Sequence, residues 1–312
     1  MPRMHEGKHV TEAAKVFQQA DDYWHNNDFK LARENYLKAA ELYGDSEDRE
    51  GEAFALSRLG ELDLSLDHYE NARASLTMAA NIVEDFDDGQ NTYGEVLIKL
   101  SKLEAAIGEF GKSLELVEKA ERILDNISNN NLLGEALDHK AYVYLEIGEE
   151  DLALNTFMKA SKLYHKEGIT LKEAAAIRAA SRIEMKRRKY DKAHDLLEMC
   201  RAIYKENGDL LGEASSLSAI GCIRFAIKDI EKARKALMKS VYLYSKATHY
   251  FAEAEALLYL ARVESYDNES GDFERAKIHY KKSIELFEYS ANETMKKAVI
   301  EEYYNFLNRV GQ

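Results

Sequence analysis

The side chains of this 312-residue chain that could do chemistry are two cysteines, nine histidines and 56 acidic residues. Cys200 and Cys222 have no paired spacing, so they build neither a disulfide framework nor a zinc ligand set, and two reduced thiols are expected. The histidines are scattered; the one close pair, His5 and His9, flanks Gly7 in a terminus expected to fray. The run Asp267-Asn268-Glu269-Ser270-Gly271 has the composition of a calcium loop, but its glycine is fifth and its acids are wrongly spaced. No glycine-rich phosphate loop or nucleophile elbow occurs. Carboxylates are so frequent that two of them close together say nothing about acid-base catalysis. The expectation is a chain that is not an enzyme, with no cofactor and no metal. The basic run Lys186-Arg187-Arg188-Lys189 is read as a solvated turn, with a localisation or nucleic-acid patch as the alternative.

The elements that position these groups follow from a repeat. A small residue, a large one four positions on and a small one three further recur seven times. The first small residue is Ala32, Ala72, Ser113, Ala153, Ala193, Ala233 or Ala276, and the large one is Tyr36, Leu76, Val117, Phe157, Leu197, Leu237 or Tyr280. The second small one is Ala39, Ala79, Ala120, Ala160, Cys200, Ser240 or Ser283. Offsets of three, four and seven share one face of an α-helix, here called helix B, and strand alternation cannot produce them. Upstream lies another small residue, Ala20, Gly60, Ser101, Ala141, Ser181, Gly221 or Ala261, preceded four residues earlier by an aliphatic one; these mark helix A. Small residues let A and B approach where they cross, and large ones fill the space beside the crossing. Turn signals such as Asn26-Asn27-Asp28 and Gly148 fall between them.

The small-large-small positions resemble the tetratricopeptide repeat. That resemblance implies an all-α, right-handed superhelical solenoid of seven helical hairpins plus a C-terminal capping helix. It covers nearly the whole chain as a single solenoid over 1–312, with hairpins near 11–43, 53–84, 94–125, 134–165, 173–205, 213–245 and 253–288 and the cap at 292–310. The period is near 40 residues, against roughly 34 for the family. No proline follows Pro2, so helix B and the loop after it are expected to be longer than usual. Three extra residues within 266–272 predict a protruding seventh turn. A second element, Gly51-Glu52-Ala53, Gly94-Glu95-Val96, Gly134-Glu135-Ala136 and Gly212-Glu213-Ala214, is expected to be a turn with a glutamate at the positive end of the following helix. It is similar to the longer repeats of the Leu-Gly-Asn adaptors, but their asparagine is replaced here by Asp21, Glu61, Lys102, Tyr142, Arg182, Cys222 and Arg262, so their ligand specificity is not carried over.

The resemblance also implies that the A helices line a concave groove. Its stripe includes Phe17, Asp21, Trp24, Glu61, Lys102, Tyr142, Arg178, Arg182, Phe225 and Arg262, the partner-binding residues expected here. Phe17 and Asp21 stand where some tetratricopeptide co-chaperones carry a lysine-asparagine clamp, which argues against a chaperone carboxylate as ligand. The net charge of -13 is lopsided: residues 1–165 carry 17 basic and 33 acidic side chains, and the remainder is slightly basic. Along the stripe Asp21, Glu61, Glu95, Glu135 and Asp138 give way to Arg178, Arg182 and Arg262. An extended or helical peptide with an acidic segment over Arg178 and Arg182 would match that polarity.

The function expected is a protein-protein interaction scaffold or adaptor. The alternatives are a structural subunit that self-associates, acidic half to basic half, and the ligand-sensing module of a signalling system. Nucleic acid is disfavoured because the acidic half repels phosphate. No run of about 18 apolar residues could span a bilayer, and residues 1–10 lack the apolar segment of a signal peptide. A cytoplasmic protein without membrane insertion is expected.

Overall fold

The computed structural model describes residues 11–266 and 272–311. The His5/His9 pair and the acidic run 267–271 lie outside the described residues, as does most of the seventh turn. The chain falls into two compact units, Met1–Glu167 and Gly168–Gln312. In the first, α1 (Glu12–His25) pairs with α2 (Phe29–Asp45), α3 (Arg49–Ser65) with α4 (Tyr69–Val83), α5 (Gln90–Ala106) with α6 (Phe110–Asn126), and α7 (Asn130–Glu146) with α8 (Glu150–Lys166). The second contains α9 (Thr170–Lys186) with α10 (Tyr190–Glu206), α11 (Leu210–Ala226) with α12 (Ile230–Lys246), α13 (Tyr250–Glu264) with α14 (Phe273–Tyr289), and α15 (Glu293–Arg309). Odd-numbered helices up to α13 are the A helices. The fold is an all-α repeat of helical hairpins.

Most of these helices are 17 residues long, and most links between them have three residues. Two such helices and two such links make the 40-residue period. Helix B is long, but the loop after it is not: α2 ends through Ser46, Glu47 and Asp48, where Glu47 is left-handed (φ 57°) and Asp48 accepts a hydrogen bond from the Gly51 amide at 2.9 Å. The amide of Asp48 closes the preceding helix on the Tyr43 carbonyl at 2.9 Å. Helix stop and helix start thus share three residues, and this geometry, rather than a long loop, replaces the missing proline. The basic run falls in one of these links: Lys186 ends α9, Arg188 is left-handed (φ 57°), and Lys189 is the N-cap before α10.

The repeat positions form the core. The large B residues are at most 2% exposed and the small ones 0%. A Cβ on Gly60 would stand 2.5 Å from Leu76 Cγ, and one on Gly221 2.6 Å from Leu237 Cγ, so the crossings tolerate nothing larger than hydrogen there. The Gly-Glu element differs from its expected role. Gly51, Gly94, Gly134 and Gly212 lie inside the A helices, not in turns before them. Each is small because a ring or an isobutyl group lies on it: a Cβ would be 2.4 Å from the Tyr43 ring, 2.7 Å from Leu124, 2.6 Å from Tyr164 and 2.3 Å from Tyr204.

Several acids are spent on packing. Asp63, fully buried, meets Arg33 at 3.1 Å; Glu104 takes Arg73 at 3.0 and 3.3 Å; Glu213 takes Lys239 at 2.7 Å, and Glu253 takes Lys282 at 2.9 Å. Removing the basic partner of such a pair strands a buried carboxylate, which costs about 1 to 3 kcal/mol, less than in a fully buried pair because the bases are part-exposed. In the second unit α15 covers the last hairpin with Val299 and Phe306, both buried against Tyr280 and Phe287, while Asn292 caps its start through the Met295 amide at 2.9 Å.

Candidate functional site

In the first unit the stripe residues on α1, α3 and α5 are held together by ions and rings. The Phe17 and Phe54 rings pack tilted with centres 5.3 Å apart, and the Arg58 guanidinium lies 4.5 Å from the Trp24 ring centre. Asp21 accepts hydrogen bonds from Tyr36 and, at 3.2 Å, from Arg58; Arg58 also meets Glu61 at 2.9 Å. Glu61 continues to Lys99 at 3.1 Å, and Lys99 to Glu95 at 2.9 Å and to Ser57 at 3.0 Å. Burial pushes the Glu61 carboxyl up, but Lys99 and Arg58 outweigh it and hold it below the usual range. Burial likewise works against the Arg58 charge, and Glu61 and Asp21 more than offset it. Asp138 on α7 accepts from Tyr164 at 3.0 Å. Lys102 and Tyr142 stand exposed, the latter with its ring edge-on to Phe157 at 4.9 Å.

Arg58 and Lys99, which tie this face together, were not on the expected stripe. Both stand two residues before the small A-helix position, one place off the expected stripe, and their long stems carry the charge back onto the preceding A helix. The signal was there: Glu61 is three residues after Arg58, and Glu95 four residues before Lys99, the spacings at which helix side chains meet.

The second unit is different. Arg178 on α9 is half-buried; its Nη1 donates to Ser215 Oγ at 3.4 Å, and its charge lies beside the Tyr204 hydroxyl. Its Nε is enclosed and has no hydrogen-bond partner, and no carboxylate lies within ion-pair distance among the described residues. Arg182, one turn on, is exposed and carries no ion pair among the described residues. Arg262 on α13 is taken: Glu302 of α15 accepts from its Nε and Nη2 at 2.8 and 2.7 Å, and Tyr280 donates to the same carboxylate at 2.9 Å. Burial pushes Glu302 up, yet these bonds hold its carboxyl below the usual range. Phe225 on α11 meets Tyr266 edge-on at 5.4 Å.

Nucleophilic chemistry finds no support at the thiols. Cys200 is buried and donates to the Leu197 carbonyl at 3.3 Å, and burial raises its pKa. Burial pushes the Cys222 thiol up to about 11 despite the nearby Arg262. Among the described residues no three or more His, Cys, Asp or Glu side chains stand together as metal ligands, and no helix is long and apolar enough to cross a membrane.

Residues 214–246, which span most of the α11–α12 hairpin, match the tetratricopeptide repeat family profile. That hairpin is a tetratricopeptide repeat. This repeat fold is similar to that of a signal transduction ATPase with numerous domains (STAND) from Pyrococcus horikoshii that has a tetratricopeptide repeat sensor: TM-score 0.75, 18% identity, 92% of the present chain covered. The chain spans only 44% of that protein's length. The apo form of RapI matches with TM-score 0.62 and 17% identity over 88% of this chain and 97% of that one. A Rap protein complexed with competence and sporulation factor matches with TM-score 0.53 and 11% identity over 96% and 99% of the two chains. At such identities the likeness speaks for the fold alone. No curated protein matches the sequence significantly.

Proposed function

We propose that this chain is a non-catalytic adaptor or scaffold of the cytoplasm that holds a peptide or protein segment on its A helices, with an acidic stretch of that segment over Arg178 and Arg182. The observation carrying this reading is Arg178, a half-buried guanidinium that has only hydroxyl partners and an enclosed, unpaired Nε. A cation so placed gains most from an incoming carboxylate, because it has already lost part of its water and has no charge to give up. Arg182 supplies a second contact one turn along. In the first unit Lys102 and Tyr142 are the stripe residues left open to a partner, while Phe17, Asp21, Trp24 and Glu61 serve chiefly to hold one another. Among similar folds, the Rap protein complexed with competence and sporulation factor offers a precedent for such an array with a bound factor.

Charge-assisted hydrogen bonds contribute about 1.5 to 3 kcal/mol each, so losing both arginines weakens binding by roughly a hundredfold or more. The test is affinity purification from the native host with wild type and with Arg178→Glu/Arg182→Glu, followed by titration of the captured partner. Unchanged affinity and unchanged salt dependence in the double variant would overturn the reading.

A second reading, a ligand-sensing module, draws on the likeness to the STAND protein with its tetratricopeptide repeat sensor. It predicts a thermal shift with a small molecule or short peptide and no protein partner present.

A further inference from the structure

A cavity of about 400 Å³ opens in the second unit between α11, α13 and α15. Its location is where the sequence placed the last groove arginine, Arg262. The charges there are already paired. Arg262 is held bidentate by Glu302, Tyr280 donates to the same carboxylate, and Arg309 of α15 donates to the Ser265 carbonyl at 2.7 Å. An incoming carboxylate would have to displace Glu302 from two short bonds and would meet its charge.

What the cavity still offers is ring surface. Phe225 and Tyr266 stand edge to face with centres 5.4 Å apart, Phe306 forms another wall, and the Arg309 guanidinium lies 5.8 Å from the Phe306 ring centre. Aromatic rings pack best on one another in edge-on or offset arrangements, and a guanidinium beside them adds attraction for a further π-face. An aliphatic side chain fills space here but gains neither. The volume lies at the low end of ligand pockets, enough for one large side chain and too narrow for a helix about 10 Å across.

We infer that this cavity receives an aromatic side chain of the bound segment. This rests on the peptide-binding reading and adds a second anchor to it. Successive A helices of a repeat pack about 10 Å apart, so the cavity lies about 20 Å from Arg182, two A helices on. An extended chain covers that distance in about six residues. The segment therefore carries its acids and its aromatic residue about six positions apart.

The test needs no knowledge of the partner. N-acetyl-4-fluorophenylalaninamide, an uncharged aromatic amide, is titrated into the full chain and followed by ¹⁹F NMR. N-acetyl-leucinamide is tested as a competitor. Saturable binding is expected, with the leucine compound weaker by roughly fivefold or more. Asn305→Trp, at the exposed rim on α15, fills the cavity and weakens the probe by roughly tenfold. Tyr266→Ala, which removes an exposed wall, does the same by a different route, and circular dichroism checks that both variants fold. Absence of saturable binding, equal competition by the leucine compound, or unaltered binding in both variants overturns the inference. Arg178→Glu/Arg182→Glu must leave the uncharged probe unaffected. Loss of the partner with the probe retained upholds both readings, and retention of both partner and probe sinks the acidic-segment reading alone.

Discussion

The A-helix faces of the two units use charge in opposite ways. In Met1–Glu167, which is strongly acidic, Asp21, Arg58, Glu61, Lys99 and Glu95 are linked end to end, so the face has little charge left to offer. In Gly168–Gln312, which is nearly balanced, Arg178 and Arg182 meet no carboxylate among the described residues. Net charge steers encounters over long range, but affinity is decided by individual groups that reach the complex without a partner. The weakly charged unit is therefore the better anchor for an acidic ligand.

That contrast can be broken at several points. The largest effect is expected from acid. Burial, aided by the neighbouring Lys102, pushes His139 down to about 4, so it stays neutral in the folded first unit, where its Nε2 lies 3.3 Å from Ser113 Oγ. The unfolded chain takes up that proton below about 6.5, so stability is fully present above that pH and falls as pH drops towards 4, by about 3 kcal/mol. Denaturant melts of wild type and His139→Gln between pH 7 and 4 should diverge by that amount, in the transition of the first unit.

Arg58→Leu comes next. It leaves Asp21 and Glu61 without their shared cation and uncovers Trp24, so the first unit should lose about 2 kcal/mol, discounted because the pair is partly solvated. Arg178→Leu breaks no ion pair, and the second unit should lose about 1 kcal/mol or less in the same melts. Equal losses would erase the distinction between the two faces. The smallest effect is at the far end of the second face. Glu302→Gln loosens the hold on Arg262, but the acidic stretch lies over Arg178 and Arg182 about 20 Å away, so affinity for the captured partner should change by less than about twofold in a titration.

Much of the fold was legible because helix crossings dictate residue size. Ala32, Tyr36 and Ala39 are where they are because two backbones approach at the first and third and diverge at the second, and that demand repeats along the chain. The Gly-Glu element was misread because glycine serves turns and close contacts alike. Only the Tyr43 and Tyr204 rings, lying on Gly51 and Gly212, tell the two apart. The stripe itself was legible, but its state was not. Whether Asp21 is free depends on the reach of Arg58 from another helix, and whether Arg262 is free depends on the register of α15, which brings Glu302 onto it from 40 residues away. Local spacing carries no such information.

Side-chain footprinting of the captured complex tests the central claim most directly. With the partner bound, carbene labelling should fall most at Arg178, Arg182 and Ser215, and the Trp24, Arg58 and Glu61 cluster should label as in the free protein. Protection confined to that first-unit cluster, with the α9 arginines labelled as before, would contradict the account.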